Sequence, residues 1–269
     1  MSDWEWDETL YAGSAPYYPV GRMPYPPRVA AVVRDELDLD GGGRLLDVGC
    51  GPGSLTLLLA PLFASAVGVD ADAGMIDEAR RRDRAGAVRW RRLRAEDLPA
   101  GLGTFRVVTF AQSFHWMDQP RVARAVRGML EPGGAWVHLF ATTDRGADGA
   151  EPLGRPRPPW DAIAELIAGH LGPVRRAGRG YLPAGTRSGE EDVMRAAGYR
   201  GPRRVTVARG EVVTRTPDEI VAAVFSHSGS APHLFGDRLA AFEADLRRLL
   251  GDGPVAERLR DVDVVIWRP

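Results

Sequence analysis

The feature that most constrains this chain is the run DVGCGPGS, Asp47 to Ser54, placed between a short apolar stretch and a helix-period one. Glycines at 49, 51 and 53 let a backbone turn tightly and approach a ligand with no Cβ in the way, and the helix that follows presents unpaired N–H groups. A loop of this kind belongs at a strand-to-helix junction, and the surrounding sequence repeats that junction. RLLDV (44–48), AVGVD (66–70), AVRWRRL (87–93), FRVVTFA (105–111) and AWVHLFA (135–141) read as strands. Helical spacing is found over 54–63, 73–84 and 120–130. Strands alternating with helices imply an α/β fold with a parallel sheet and crossover helices.

The pattern changes after residue 143. A glycine- and proline-rich loop (144–159) leads to a helical stretch over 160–170, a helix near 190–197 and a strand near 203–213. Helices near 218–225 and 238–250 and a last strand VDVVIW (262–267) follow. The expected organisation is an N-terminal arm or lid (1–25), a core (26–143), a cap insertion (144–197), and a C-terminal part of the core (198–269) carrying a helical cap segment (216–250). At 269 residues the chain is long enough for such a core without disulfides or metal staples.

Composition removes several chemistries. All 35 basic residues are arginine, so a Walker phosphate loop, a pyridoxal Schiff base and a lysine general base are absent. A net charge of −1 argues against a nucleic-acid binder that works by phosphate neutralisation. The single Cys50 and five scattered histidines offer no zinc spacing, so no metal is expected. Met1 to Asp7 shows no secretory pattern, and the most apolar stretch, Leu55 to Val69, is too short and interrupted to span a bilayer. A cytoplasmic protein without a membrane partner is the expectation.

Asp70, seventeen residues after Gly53 at the end of the second strand, is placed to accept both hydroxyls of a ribose. The dinucleotide fingerprint G-x-G-x-x-G would need a third glycine at 54, where Ser54 stands, which disfavours a nicotinamide cofactor. An acid at the head of the loop, Asp47, is unwelcome beside a pyrophosphate but suits an ammonium group. S-adenosylmethionine has an ammonium, a ribose and no phosphate.

LLDVGCGPG (45–53), VGVDAD (67–72), RAEDLP (94–99), VVTFAQSFHWMD (107–118) and LEPGG (130–134), in that order, resemble the class I S-adenosylmethionine-dependent methyltransferases, within them the small-molecule type 11 branch that includes trans-aconitate methyltransferase-like enzymes. YYPVGRMPYP (17–26) and the final VVIWRP are similar to the same branch. The resemblance implies a Rossmann-like, doubly wound seven-stranded sheet with its last strand antiparallel and a mainly helical cap. It also implies S-adenosyl-L-methionine as cofactor and S-adenosyl-L-homocysteine as product. Carried over by position, Gly49, Gly51 and Gly53 approach the methionine portion, Asp47 holds its ammonium directly or through water, and Asp70 takes the ribose. Ala95 and Glu96 border the adenine, Arg22 with Tyr17 or Tyr18 reaches the methionine carboxylate, and Gln112 and Ser113 line the transfer channel.

A sulfonium methyl is already electrophilic, so a protein of this kind mainly aligns the acceptor, excludes water and removes a proton where needed. His115 is the candidate base, with Trp116 as an apolar wall; the same histidine could equally serve packing. His227 and His233, flanking SGSAP, and Tyr25 and Tyr17 are candidate acceptor contacts, and the aromatic arm, with Trp4 and Trp6, could close over the site. Cys50 reads as a packing residue. Eight arginines over 80–94 read as helix-end and sheet-edge charges, with an RNA or anionic carrier as the other reading. The function expected is methyl transfer to an oxygen of a small organic acceptor. Alternatives are N- or C-methylation, a cyclisation in which the sulfonium keeps its methyl, a non-catalytic partner subunit, and a nicotinamide oxidoreductase.

Overall fold

The apolar runs become strands in a computed structural model that describes residues 7–149, 151–181 and 189–269. In chain order the strands are β1 (Arg44–Val48), β2 (Ser65–Asp70), β3 (Val88–Arg92), β4 (Phe105–Ala111), β5 (Leu130–Phe140), β6 (Arg176–Ala177), β7 (Gly180–Tyr181), β8 (Arg200–Val207), β9 (Val212–Arg215), β10 (Val255–Arg258) and β11 (Val262–Arg268). The α-helices are α1 (Tyr18–Gly21), α2 (Pro27–Glu36), α3 (Ser54–Leu59), α4 (Ala73–Arg82), α5 (Gln119–Arg127), α6 (Trp160–Leu171), α7 (Glu190–Ala196), α8 (Pro217–Phe225) and α9 (Leu239–Leu250). The chain divides into two units. The first takes its described residues from Met1–Met23, Thr142–Gly185 and Arg209–Arg260, the second from Pro24–Ala141, Thr186–Ala208 and Asp261–Pro269.

The second unit is built on a seven-stranded sheet of order β3-β2-β1-β4-β5-β11-β8. The first five strands pair in parallel, while β11 runs antiparallel to both β5 and β8. The last strand is therefore inserted between two others, and β8 forms the edge. Successive strand residues point to opposite faces, and both faces are apolar: Leu45, Val107, Val137 and Val264 join one cluster with Val29, Val33 and Leu59, whereas Leu46, Val108, Trp136 and Val265 join another with Val122, Val126 and Tyr199. Burial on both faces explains why these strands read as near-continuous apolar runs. The strand order reverses at β1, which pairs with β2 on one side and β4 on the other, leaving a crevice at their carboxyl ends where ligands of such sheets bind.

Side-chain caps place the helices that follow. The Asp72 carboxylate accepts from Met75 N at 3.0 Å to start α4, and Asp118 accepts from Arg121 N at 3.1 Å to start α5. The arginine run falls on the end of α4 and on the edge strand β3, where Arg80 pairs with Asp77 and Arg81 with Glu78. α2, which the periodicity did not single out, opens on Pro27 in the first helical turn, where a missing N–H costs nothing.

The strand expected over 203–213 is two strands. β8 belongs to the large sheet, and β9 pairs antiparallel with β10 in the first unit, the backbone between them passing through Gly210 at φ 151°. The core of the first unit is formed by Ile163 of α6, Phe225 of α8, Phe242 and Leu246 of α9, and Phe235, whose ring stacks on Phe242 at 4.0 Å. α8 starts at a reciprocal cap in which Thr216 and Glu219 bond each other's backbone N–H. No described helix is long and apolar enough to cross a membrane.

One buried ion pair ties the segments of the first unit together. Arg215, 3% exposed, donates through Nη1 to Glu257 Oε2 and Asp144 O, both at 2.8 Å, and through Nη2 to Gly21 O at 2.7 Å and Glu219 O at 2.9 Å. Glu257 Oε1 accepts from Gly146 N at 2.7 Å and Trp160 Nε1 at 2.9 Å. Removing one partner strands the other charge in the interior, so Arg215→Ala is expected to cost about 3–5 kcal/mol in urea unfolding, while Arg215→Met/Glu257→Met loses clearly less. Equal losses in the single and double variants would contradict a buried, mutually dependent pair.

Candidate functional site

The site in the second unit begins with what a Cβ would do at each loop glycine. At Gly49 (φ 68°) it would fall 2.4 Å from Ser113 Cβ, and at Gly53 (φ 78°) 2.5 Å from the Trp90 ring. At Gly51 (φ 53°) it would meet nothing within 4 Å among the described residues. Two glycines thus let β4 and β3 close against the loop, and the third leaves space free over its apex. The loop is fastened to β2 by Gly49 N and Cys50 N, which donate to Val69 O at 2.8 and 3.0 Å. Arg82 of α4 donates to Pro52 O at 2.7 Å and Ser54 Oγ at 3.0 Å from the other end.

Asp47 lies beneath this loop, 1% exposed. Its two carboxylate oxygens accept from Thr56 Oγ1 at 2.5 Å and Thr109 Oγ1 at 2.7 Å. Burial pushes its pKa up to about 6, against the pull of those hydroxyls. Asp70, partly exposed at the carboxyl end of β2, accepts from Gly51 N at 2.8 Å and Asp72 N at 2.9 Å. It too is raised to about 6, by burial first, with the charges of Asp72 and Asp47 adding to the rise against the two backbone donors. Two carboxylates that resist ionisation, one below the loop and one bonded to its apex, form a place where a cation is welcome and a phosphate is not. Cys50, buried in the same loop, has its thiol raised well above the usual range by burial and by both aspartates, which suits packing.

Around this pair stand the other residues singled out in the sequence. Gln112, at the carboxyl end of β4, has φ 54°, a left-handed conformation rare outside glycine. Such strain concentrates where a backbone is held for function. Ser113 donates its hydroxyl to Val48 O at 2.7 Å, so it locks β4 to β1. His115 is partly exposed in a 3₁₀ turn (Phe114–Trp116), with its ring 5.1 Å from that of the buried Trp116. Ala95 is buried, and Glu96 accepts from Asp118 N at 2.9 Å while Arg94 Nε lies 3.6 Å from its other oxygen. Tyr25 packs against the sheet core beside α2.

Five expected residues lie in the first unit. Arg22 donates through Nε to Ser226 Oγ at 2.7 Å and through Nη2 to Ser226 O at 3.1 Å; its Nη1 pairs with Asp144 at 3.3 Å, and its guanidinium lies 4.7 Å over the Tyr18 ring. His227 Nε2 is 2.9 Å from the other Asp144 oxygen. Tyr17 packs on Phe225 at 5.0 Å, and His233 Nδ1 meets Ala12 O at 3.0 Å. Trp4 and Trp6 lie outside the described residues. The structure thus gathers Asp47, the three glycines, Asp70, Gln112 and Ser113 in one unit, and Tyr18, Arg22 and His227 in the other. Sequence reasoning missed Thr56 and Thr109 as partners of Asp47, Trp90 as the wall behind Gly53, and Asp144; Thr109, Trp90 and Asp144 act across long sequence separations, and Thr56, nine residues from Asp47, belongs to no motif that marks it.

The raised carboxyls carry a pH signature. Between about pH 4 and 6 the folded chain holds a proton on Asp47 that the unfolded chain has lost, so the penalty for burying this group is absent below that window and full above it. Asp47→Asn removes the ionisation. The variant should be more stable than the parent at about pH 8, by up to about 3 kcal/mol in urea unfolding, and the gap should close near pH 4. A gap independent of pH would show that Asp47 is not a desolvated carboxyl.

Comparison with known proteins agrees with this geometry. Residues 45–134 match a family model described as a methyltransferase domain. The chain is 33% identical over 144 residues to a protein-L-isoaspartate O-methyltransferase of Anaeromyxobacter dehalogenans, covering 46% of this chain and 64% of that protein. It is 33% identical over 172 residues to an uncharacterized methyltransferase of Mycobacterium bovis, covering 63% of each. The matches thus span somewhat less than two thirds of these relatives' length. A crystal structure of an S-adenosylmethionine-dependent methyltransferase from Clostridium acetobutylicum is similar at 23% identity and TM-score 0.38, covering 43% of this chain and 49% of that one. With the sheet order and the glycine loop, residues 45–134 thus carry a methyltransferase domain.

Proposed function

We propose that the chain moves a methyl group from S-adenosylmethionine to an oxygen of a small organic acceptor. The observation that carries this reading is the pair of raised carboxylates at the glycine loop, Asp47 buried below and Asp70 bonded to Gly51 N. The residues present fit the cofactor: the space over Gly51 admits a ligand, the two acids favour a cationic one, and Asp70 at the end of β2 suits a ribose. The bound cofactor supplies an electrophilic methyl on a positively charged sulfur.

Everything else falls to the chain's own groups. Gly49, Gly51 and Gly53 keep the loop close to the methionine portion, and Asp70 accepts from the ribose hydroxyls. Asp47, with both oxygens already held by Thr56 and Thr109, acts on the ammonium mainly as a fixed negative charge beneath the loop or through water. Ala95 and Glu96 border the adenine, and Gln112 is held at its strained φ facing the carboxyl ends of the strands. His115 takes the acceptor's hydroxyl proton, and Trp116 walls the site against water. The relative named for O-methylation supports oxygen as the receiving atom.

Incubation with methyl-labelled S-adenosylmethionine and a panel of small hydroxyl-bearing acceptors should release S-adenosylhomocysteine and a product heavier by one methyl. Asp70→Ala should lose both signals. His115→Ala should lower kcat by about a hundredfold or more while leaving S-adenosylhomocysteine affinity unchanged. Product formation without S-adenosylhomocysteine would overturn methyl transfer, and an unchanged kcat would remove His115 from the chemistry.

A further inference from the structure

The fold uses only part of the arginine run over 80–94. Arg80 and Arg81 are paired with Asp77 and Glu78 on α4, Arg82 is held by Pro52 O and Ser54 Oγ, and Arg94 lies beside Glu96. Arg92 donates to Ala71 O at 3.1 Å. The other three, Arg84, Arg89 and Arg91, meet no carboxylate among the described residues, and Arg84 and Arg89 are exposed.

Strand geometry sets these three in a row. β3 is the edge of the sheet, and its residues alternate in direction. Trp90 turns into the core, so Arg89 and Arg91 leave the strand on the opposite side, their Cα atoms about 6.6 Å apart at two residues of strand rise. The turn that carries Arg84 is built by Asp83, whose carboxylate accepts from Ala87 N at 3.1 Å, Val88 N at 2.9 Å and Trp90 Nε1 at 3.1 Å. Asp83 is the one acid within the run, and its oxygens are committed to that turn and to Trp90.

Charge on an edge strand deters pairing with another strand, and charge of mixed sign would do so as well. Three guanidinium groups of one sign over residues 84–91 do more: they leave a local field that favours an acidic surface. A protein suits that field better than a nucleic acid. Single strands are held by stacking on exposed rings as well as by charge, and the one aromatic residue of the run, Trp90, is buried. The chain's net charge of −1 adds no wider attraction for phosphates. Carboxylates at i and i+4 on a helix are separated by about 6 Å along its axis, close to the spacing of Arg89 and Arg91.

We propose that Arg84, Arg89 and Arg91 form a docking surface for an acidic helix of a partner protein. The helix lies along the outer edge of β3, and its carboxylates pair with the three guanidinium groups. The surface belongs to the second unit alone, and the inference is independent of the methyl-transfer reading.

Fluorescence anisotropy of a labelled helical peptide of about 20 residues, with glutamates at i and i+4 along one face, tests it against the full chain. The peptide should bind at low ionic strength and its glutamine counterpart should not. Affinity should fall as the Debye length contracts from about 30 Å at 0.01 M salt to about 10 Å at 0.1 M. Arg84→Glu/Arg89→Glu/Arg91→Glu should weaken binding at least about tenfold, through lost pairs and like-charge repulsion. Arg28→Glu/Arg121→Glu/Arg124→Glu makes the same change in net charge at exposed positions elsewhere on the second unit and should leave binding nearly unchanged. Arg84→Gln/Arg89→Gln/Arg91→Gln, which keeps polar side chains at the edge, should also weaken it, and urea unfolding establishes that each variant is folded. Absence of peptide binding, or equal losses in the two glutamate variants, would overturn the proposal. An oligouridylate that binds more tightly than the peptide, and is released by the same three substitutions, would overturn the choice of an acidic helix in favour of RNA.

Discussion

The second unit depends on the burial of negative charge under a glycine loop. An isolated carboxylate in the interior is costly, and the sequence meets that cost with two threonine hydroxyls on Asp47 and two backbone N–H groups on Asp70. Those bonds leave both groups with raised pKa values, so compensation is incomplete. The remaining penalty is what a cationic ligand can relieve. The same requirement shapes the loop: Gly49 and Gly53 let Ser113 and Trp90 close against it, and Gly51 keeps its apex open. Stability given up at this point is recovered in the apolar clusters on the two faces of the sheet.

The first unit solves a different problem with the same means. Its segments come from three separate parts of the chain, and Arg215 holds them through carbonyls of Gly21, Asp144 and Glu219 and the carboxylate of Glu257. Asp144 serves twice: its carbonyl is bound by Arg215, and its carboxylate fixes Arg22 and His227. The Arg215–Glu257 pair therefore positions the backbone that carries the Asp144 carboxylate. Arginine suits both tasks, since its planar fork can bond several carbonyls or a carboxylate at once.

Much of the second unit was legible in the sequence because its signals are local. RLLDV, AVGVD and FRVVTFA are strands for reasons contained in five to seven residues, and DVGCGPGS announces its own turn. Asp70 was legible because its distance from the loop is fixed by one βα unit. The division of 203–213 into two strands was not, since Arg203 and Val213 both read as extended and only their pairing partners, β11 and β10, separate them. Thr56, Thr109 and Trp90 were invisible for the same reason, and so was Asp144, one acid in a loop of unremarkable composition whose partners lie 122 and 83 residues away in sequence. Local pattern specified elements and the loop; the environment that tunes Asp47, Asp70 and His227 is assembled only by tertiary packing.

The Asp47 and Asp70 carboxylates are proposed to create a site for the cationic nucleoside. Calorimetric titration of S-adenosylmethionine and S-adenosylhomocysteine into the parent chain and Asp70→Ala, at a series of pH values with NAD(H) alongside, tests it directly. Saturable binding of both sulfur nucleosides is expected, tightening as pH rises through about 6, where the carboxyls ionise, and lost in Asp70→Ala. Binding of the dinucleotide in their place, or sulfonium binding indifferent to pH and to Asp70, would contradict it.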